Sequence, residues 1–376
     1  MLIFIIGNSI RLRFGQTIFK CPAIANALPL AASGDNLKLM KILATILLTI
    51  LTMLTFAQKV FKVDNFSKDY YGKIQISDTS EVFTKGWVAI YDRKTNKQLI
   101  KVTSDELALE LHDGKAVANI KELPYGEQSL IMYDDFNFDG KKDFAVCDGQ
   151  NSCYHGPSFK IYLAANNGFL YNKDFTRLAQ EYCGMFNVDS EAKKIYTMTK
   201  SGCCWHEFSE FIVVNNKPKP IKIETEEQDM PFNITTQEIW NGKSMVKKSI
   251  KTIDTDQEGI EVILSFKIPQ NDKEIILYNI NDRTLNYALV KKDSTVEFSY
   301  PIETVYQNPD FEFDSTTNNL AVTFKNKTAH YQVYERPNEI GITINSDGKT
   351  YNWVGDLNTK KGSLDRLRTV KLDNVY

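Results

Sequence analysis

The chain has 376 residues, long enough for one large domain or two ordinary ones, with 43% hydrophobic and 12% aromatic residues to build cores. Its 45 Lys and Arg residues against 47 Asp and Glu give a formal net charge of −2. No basic surplus is available to neutralise a phosphate backbone, so nucleic acid is excluded as the expected partner.

Residues 1–39 carry Arg11, Arg13 and Lys20 but match no folding pattern, which a start placed too early would explain, with Met40 the true start. "MKILATILLTILTMLTFAQ" from Met40 has a positive residue, an apolar run and a small residue, Ala57, before Gln58. That is the pattern of a secretory signal peptide cleaved after Ala57. The apolar run is shorter than the roughly twenty residues a spanning helix needs, so no transmembrane span is expected after cleavage. Loss of residues 1–57 leaves 40 basic against 46 acidic residues, a net charge of about −6. The expected location is periplasmic or secreted.

From residue 58 onward, Val, Ile, Thr and Tyr come in short bursts separated by Asn, Asp, Gly and Lys, the composition of strands and turns. "WVAIY" at Trp87 and "QLIKV" at Gln98 are the first strand candidates. The expected fold is mostly β, an antiparallel β-sandwich or barrel-like set of sheets with a few short helices. Residues 58–225 are expected to form a β-rich region with a calcium loop and disulfides, and 226–376 an antiparallel β domain.

"YDDFNFDGKKDFAVCDG", residues 133–149, places Asp135, Asn137, Asp139 and Asp143 at alternate positions, with the Lys141 carbonyl filling the gap and Gly140 in the middle. Calcium takes hard oxygen ligands at about 2.3–2.6 Å, and alternating carboxylates around a glycine turn supply them compactly. An EF-hand would also need a bidentate Glu at position twelve and flanking helices. Val146 stands there, between strand-like flanks, so the expectation is a Ca2+ loop between two strands. Its plainer alternative is a turn in which Asn and Asp only shape the backbone. The run at 254–261, "DTDQEGIE", lacks the full spacing and reads as a solvated turn.

Cys147, Cys153, Cys183, Cys203 and Cys204 follow, all disulfide candidates in an oxidising compartment. Cys147 and Cys153 are close enough to staple one loop, and Cys183 can pair with Cys203 or Cys204. Each bridge would contribute about 2–4 kcal/mol. "CYH" and "CCWH" also hold Cys-x-His triplets that could make a zinc set, although zinc sites usually space their ligands more widely. "FKIYL" and "EFIVV" read as strands, "FTRLAQEY" at Phe175 as a helical turn, and "NNKPKP" at 215–220 as punctuation.

Beyond residue 225, "GIEVILSFKI", "EIILYNI", "LNYALV", "VEFSYPI", "LAVTFKN", "AHYQVYE", "IGITI" and "TYNWVG" recur at sandwich-like intervals. Asp347-Gly348 marks a tight hairpin and Ser363 a cap for a short C-terminal helix. Tyr331, Tyr334, Tyr351 and Trp353 could line a sugar-binding face, but at alternate strand positions they read more readily as core.

"DDFNFDGKKDFAV" with "GPSFKIYLAANNGF" resembles the calcium-loop repeat of integrin-type propellers, which need several copies where this chain has one convincing match. A closer resemblance rests on that loop, on "KSGCCWHEF" and on "YQVYERPNEIGITINSDGKTYNWVGDL" with "KGSLDRL" and "KLDNV". These are similar to a bacterial periplasmic family with a single FG-GAP-like calcium loop, close in fold to the periplasmic inhibitor of invertebrate-type lysozyme. The resemblance implies calcium held by Asp135, Asn137, Asp139 and Asp143, and a role in blocking a lysozyme. Such inhibitors present a Ser-Gly-x-x-Tyr loop, which places Ser201, Gly202 and Trp205 at the partner contact, with Trp where Tyr would stand.

His112, His155, His206 and His330 fall in no nucleophile-elbow or metalloprotease pattern, so no catalysis is expected. The expected function is an exported calcium-binding β protein that binds a macromolecule, with a lysozyme-like hydrolase as the leading partner. A structural or adhesive envelope protein and a carbohydrate-binding module are the alternatives.

Overall fold

The computed structural model describes residues 3–5, 10–14, 17–20, 59–123, 126–302 and 309–376, and the expected signal peptide lies outside them. The chain divides into two compact units, Met1–Gln58 and Lys59–Tyr376. In the first, β1 (Ile3–Ile5), β2 (Ile10–Phe14) and β3 (Thr17–Lys20) form a small antiparallel sheet. This differs from the expectation of no folding pattern: Leu12 and Phe14 alternate with Arg11 and Arg13, which is strand period.

The sheets of the second unit are antiparallel, as composition implied, and each is a run of consecutive strands except where β27 joins β18. β4 (Lys59–Val63), β5 (Tyr70–Ile76), β6 (Thr84–Asp92) and β7 (Gln98–Leu107) form the first meander. The second comprises β8 (Ile131–Asp134), β9 (Asp143–Ser152), β10 (Gly156–Ala165) and β11 (Gly168–Tyr171). Helix α1 (Lys173–Glu181) follows, started by the Asn172 side chain, which accepts from the Asp174 and Phe175 N–H groups. It buries Phe175, Leu178 and Ala179, and its Thr176 hydroxyl accepts from the Ile161 N–H of β10 at 3.0 Å.

Val63, Ile74, Val88 and Ile90 of the first meander meet Ile131, Phe144, Val146 and Phe159 of the second in one core, sealed by α1. Polar–apolar alternation builds this interface, because one face of each strand must leave water.

The third sheet is longer: β12 (Asn187–Asp189), β13 (Lys194–Ser201), β14 (Trp205–Val214), β15 (Lys217–Asp229), β16 (Phe232–Trp240) and β17 (Met245–Ile253). Here the sequence misled in one respect. Pro218 and Pro220 lie inside β15 instead of ending a segment, and residue 225 falls mid-strand. β16 pairs with β15 only from Lys222 onward, so both prolines occupy a stretch where one strand edge has no partner to receive an N–H.

The remaining strands are β18 (Ile260–Ile268), β19 (Lys273–Ile280), β20 (Thr284–Val290), β21 (Val296–Tyr300), β22 (Phe311–Thr316), β23 (Asn319–Asn326), β24 (Ala329–Arg336), β25 (Glu339–Ser346), β26 (Lys349–Val354) and β27 (Lys361–Gly362). β18–β21 with β27 form one sheet and β22–β26 another. They face each other over a second core containing Phe266, Tyr287, Phe311, Val322 and Ile342. Phe232 of the long sheet packs with Ile276, Tyr278 and Val290 in a third cluster.

Asp347 and Gly348, with φ of 52° and 75°, make the tight turn between β25 and β26. Ser363 accepts from the Asp365 N–H, capping a 3₁₀ turn, Leu364–Arg368. Near the C-terminus, buried Asn374 pairs its side-chain oxygen and nitrogen with both backbone groups of Leu285.

Candidate functional site

The loop between β8 and β9 is organised by its own acidic side chains. Asp135 accepts from the Asp139 N–H at 3.1 Å and the Gly140 N–H at 2.8 Å. Asp139 accepts from the Lys141 N–H at 2.8 Å, while the Asn137 amide donates to Asp139 at 3.2 Å and to Asn216 at 3.0 Å. Gly140 has φ +85°, the left-handed turn that a side chain would resist.

Asp143 behaves differently. It is fully buried, and its two oxygens accept from the Phe136 N–H at 2.8 Å and the Ala164 N–H at 2.7 Å. It therefore clamps the loop to β10. Burial, aided by the nearby Asp139 and Asp135, raises its carboxyl to about 7 against the pull of those two donors.

The loop's donor set suits a hard cation. Three carboxylates and an amide oxygen lie within nine residues, and among the described residues no Lys, Arg or His pairs with Asp135, Asp139 or Asp143. In the geometry as it stands, no three His, Cys, Asp or Glu side chains converge on one point among the described residues.

The cysteine pairing differs from the expected Cys147–Cys153 staple and from a Cys183 bridge to Cys203 or Cys204. Cys153 bonds to Cys183 and Cys203 to Cys204, while Cys147 is free and buried. Cys147 sits within β9, in register with Phe159 and inside the core, so it cannot reach Cys153 in the turn beyond the strand. The cysteines of both Cys-x-His triplets are held in disulfides and supply no thiolate for zinc.

Burial also pushes the Cys147 thiol up to about 12. At about pH 8 the native protein is expected to resist an aromatic disulfide reagent. Unfolding without reductant should then release a single thiol from residues 58–376. Reaction before unfolding would contradict the buried placement.

Ser201, Gly202 and Trp205 come together at the tip of the β13–β14 hairpin, where Ser201 pairs with Trp205. The tip is tied on several sides. The Gly202 N–H donates to the Tyr154 hydroxyl, the Lys200 ammonium sits 4.9 Å over the Tyr154 ring, and the Cys204 carbonyl accepts from the Gln228 N–H at 2.8 Å. Tyr154 and His155 both hold left-handed backbone, φ 54° and 58°, next to the Cys153–Cys183 bridge. His155 lies 3.4 Å from Glu106. Nothing in the "CYH" triplet marks Tyr154, because its contact with Gly202 joins positions far apart in the sequence.

Of the candidate sugar-stacking aromatics, Tyr334 is buried and Tyr331 is packed against Phe324 and Phe298. Tyr331 nonetheless borders a cleft of about 650 Å3 with Asp310, Gln332 and Asn345.

No protein-family model matches the chain, and no curated protein is similar to it. Among solved structures, a Xanthomonas type IV secretion system related protein is similar over 51% of this chain and 94% of its own, at 20% identity and a TM-score of 0.41. A Bacteroides uniformis protein described as a candidate 6-phosphogluconolactonase covers 81% of this chain and 85% of its own, at 9% identity and a TM-score of 0.20. TolB from Acinetobacter baumannii covers 78% and 81%, at 8% identity and a TM-score of 0.14. Likenesses this weak carry no argument about activity. Fold and bonds define the class: an antiparallel β protein with a disulfide, in which no helix among the described residues is long and apolar enough to cross a membrane.

Proposed function

We propose that the chain is an exported, calcium-stabilised β protein that binds another macromolecule through the tip at residues 201–205, with a lysozyme-like cell-wall hydrolase as the leading partner. The observation that carries this reading is the tethering of the tip by Tyr154, Lys200 and Gln228, beside a disulfide-anchored corner. A loop ordered before binding loses little conformational entropy on binding, which is how inhibitors convert a small contact into affinity. Calcium at Asp135, Asn137, Asp139, the Lys141 carbonyl and Asp143 would hold the β8–β9 loop, which Asn137 links to Asn216 at the β14–β15 turn, the far end of β14 from the tip.

The test is binding of residues 58–376, with calcium present, to immobilised lysozymes of the invertebrate, chicken and goose types, followed by a cell-wall lysis assay. Inhibition of one class is the expected result. Trp205→Ala should weaken it about tenfold or more, as loss of a central aromatic anchor does. Failure to bind all three types would remove the lysozyme from the reading.

A second reading, carbohydrate binding, is favoured by the cleft beside Tyr331, whose polar rim and aromatic wall suit a sugar ring. Retention of the protein on peptidoglycan, lost in Tyr331→Ala, would support it. Equal retention of both forms would refute it.

A further inference from the structure

The turn at the hairpin tip consists of Gly202, Cys203 and Cys204, between the paired Ser201 and Trp205. One whole disulfide therefore lies inside a single turn. A bridge between adjacent residues encloses almost no chain, so it restricts the unfolded state little and contributes little to stability. The Cys153–Cys183 bridge, with 30 residues of separation, has that structural role to itself.

Connectivity and access both open the tip bridge to chemistry. The Cα atoms of Cys203 and Cys204 are neighbours in the chain, 3.8 Å apart. Ordinary disulfides span about 4.4–6.8 Å between Cα atoms, and bridges outside that range are the more easily reduced. Cys203 is exposed and Cys204 half-buried. A hollow of about 340 Å3, bordered by both cysteines, His206, Glu226, Glu227 and Gln228, gives a reagent room beside the bond. Its two carboxylates favour a neutral thiol over an anionic one. Cys183, only 5% exposed, shields the other bridge from the same attack.

The bridge also sits between two of the anchors that order the tip. The Gly202 N–H donates to the Tyr154 hydroxyl, and the Cys204 carbonyl accepts from the Gln228 N–H at 2.8 Å. A closed ring through Cys203 and Cys204 holds these anchor points in one relation. Opening it restores backbone rotation between them.

We propose that Cys203–Cys204 is a redox-active bridge that a dithiol opens in the folded protein, and that its opening loosens the tip. A thiolate of the dithiol attacks the exposed Cys203 sulfur, the S–S bond breaks, and the Cys204 sulfur leaves as a thiolate that takes up a proton. The second thiol of the reagent then displaces Cys203 from the mixed disulfide. Two electrons and two protons pass to the protein, and the dithiol ends as a disulfide. The exchange is independent of what the tip binds, while its use to control a partner rests on the reading of the tip as a binding surface.

Graded reduction of residues 58–376 with dithiothreitol, followed by alkylation with iodoacetamide and peptide mass spectrometry, tests the chemistry. Cys203 and Cys204 should be alkylated together at about a tenth or less of the dithiol concentration that Cys153 and Cys183 require, with the far-ultraviolet circular dichroism unchanged. In the same samples, amide exchange at Gly202 and Gln228 should speed up about threefold or more. Cys203→Ser/Cys204→Ser should exchange at that faster rate with or without dithiol.

Reduced thioredoxin in place of dithiothreitol separates the sources. Reduction by both assigns the exchange to a Cys-x-x-Cys protein, and reduction by dithiothreitol alone assigns it to a small dithiol. Alkylation of Cys153 and Cys183 before or together with the tip pair, or free thiols at 203 and 204 before any reductant is added, would overturn the redox assignment. Unchanged exchange at Gly202 and Gln228 after reduction would overturn the loosening. None of these readouts involves a lysozyme, so failure to bind one leaves them intact.

Discussion

Asp143→Ala is expected to lower the stability of residues 58–376 by about 2–4 kcal/mol even without calcium, read from urea unfolding midpoints. Each Asp143 oxygen receives a backbone N–H, from Phe136 in the loop and from Ala164 in β10. Removing the carboxylate strands both donors in a buried site. Relief of the carboxylate's own desolvation offsets only part of that cost.

Asp135→Ala should behave in the opposite way. Its side chain organises an exposed stretch of the loop, so without metal its loss should cost less than about 1 kcal/mol. With calcium at a hundred times its dissociation constant, the wild type gains about 2.7 kcal/mol that the variant lacks. A melting temperature insensitive to chelation in the wild type would refute the metal assignment and leave the Asp143 clamp standing. A loss below about 1 kcal/mol in Asp143→Ala would refute the clamp.

The two variants also show what the sequence could reveal and what it could not. Alternation made Asp135, Asn137, Asp139 and Asp143 conspicuous as a group, and the strands flanking them were legible from Ile, Phe and Val. Nothing in the spacing distinguishes Asp143 from its neighbours, because its clamp depends on Ala164, which only the β9–β10 register brings near. The regular strands after residue 260 were legible for a related reason: their apolar faces alternate and their turns carry Asn, Asp and Gly. β15–β17 were missed because they are rich in Lys, Glu and Thr and bury little on either face.

Cysteine pairing was illegible because distance along the chain is a poor guide to distance across a sheet. Cys147 is six residues from Cys153 yet points into the core, whereas Cys183, thirty residues from Cys153, returns beside it after α1. The continuous apolar run around Cys147, "FAVC", was the available sign that this cysteine is a core residue.

The same pairing sets the second large effect. Replacing Cys153 and Cys183 together with Ser is expected to cost about 3–4 kcal/mol, since their bond closes a 30-residue separation and restricts the unfolded chain accordingly. Replacing Cys203 and Cys204 should cost far less, because adjacent residues enclose almost no loop. Function should follow the same order. Tyr154 and His155 occupy left-handed backbone that non-glycine residues hold only when their surroundings impose it. Once the bridge is gone, Tyr154 is free to relax and the Gly202 N–H loses its acceptor, so the tip should bind the proposed partner more weakly even where the variant remains folded. Unchanged affinity in a folded Cys153→Ser/Cys183→Ser protein would show that the corner contributes stability alone, and that the tip is ordered by β13, β14 and Gln228 without it.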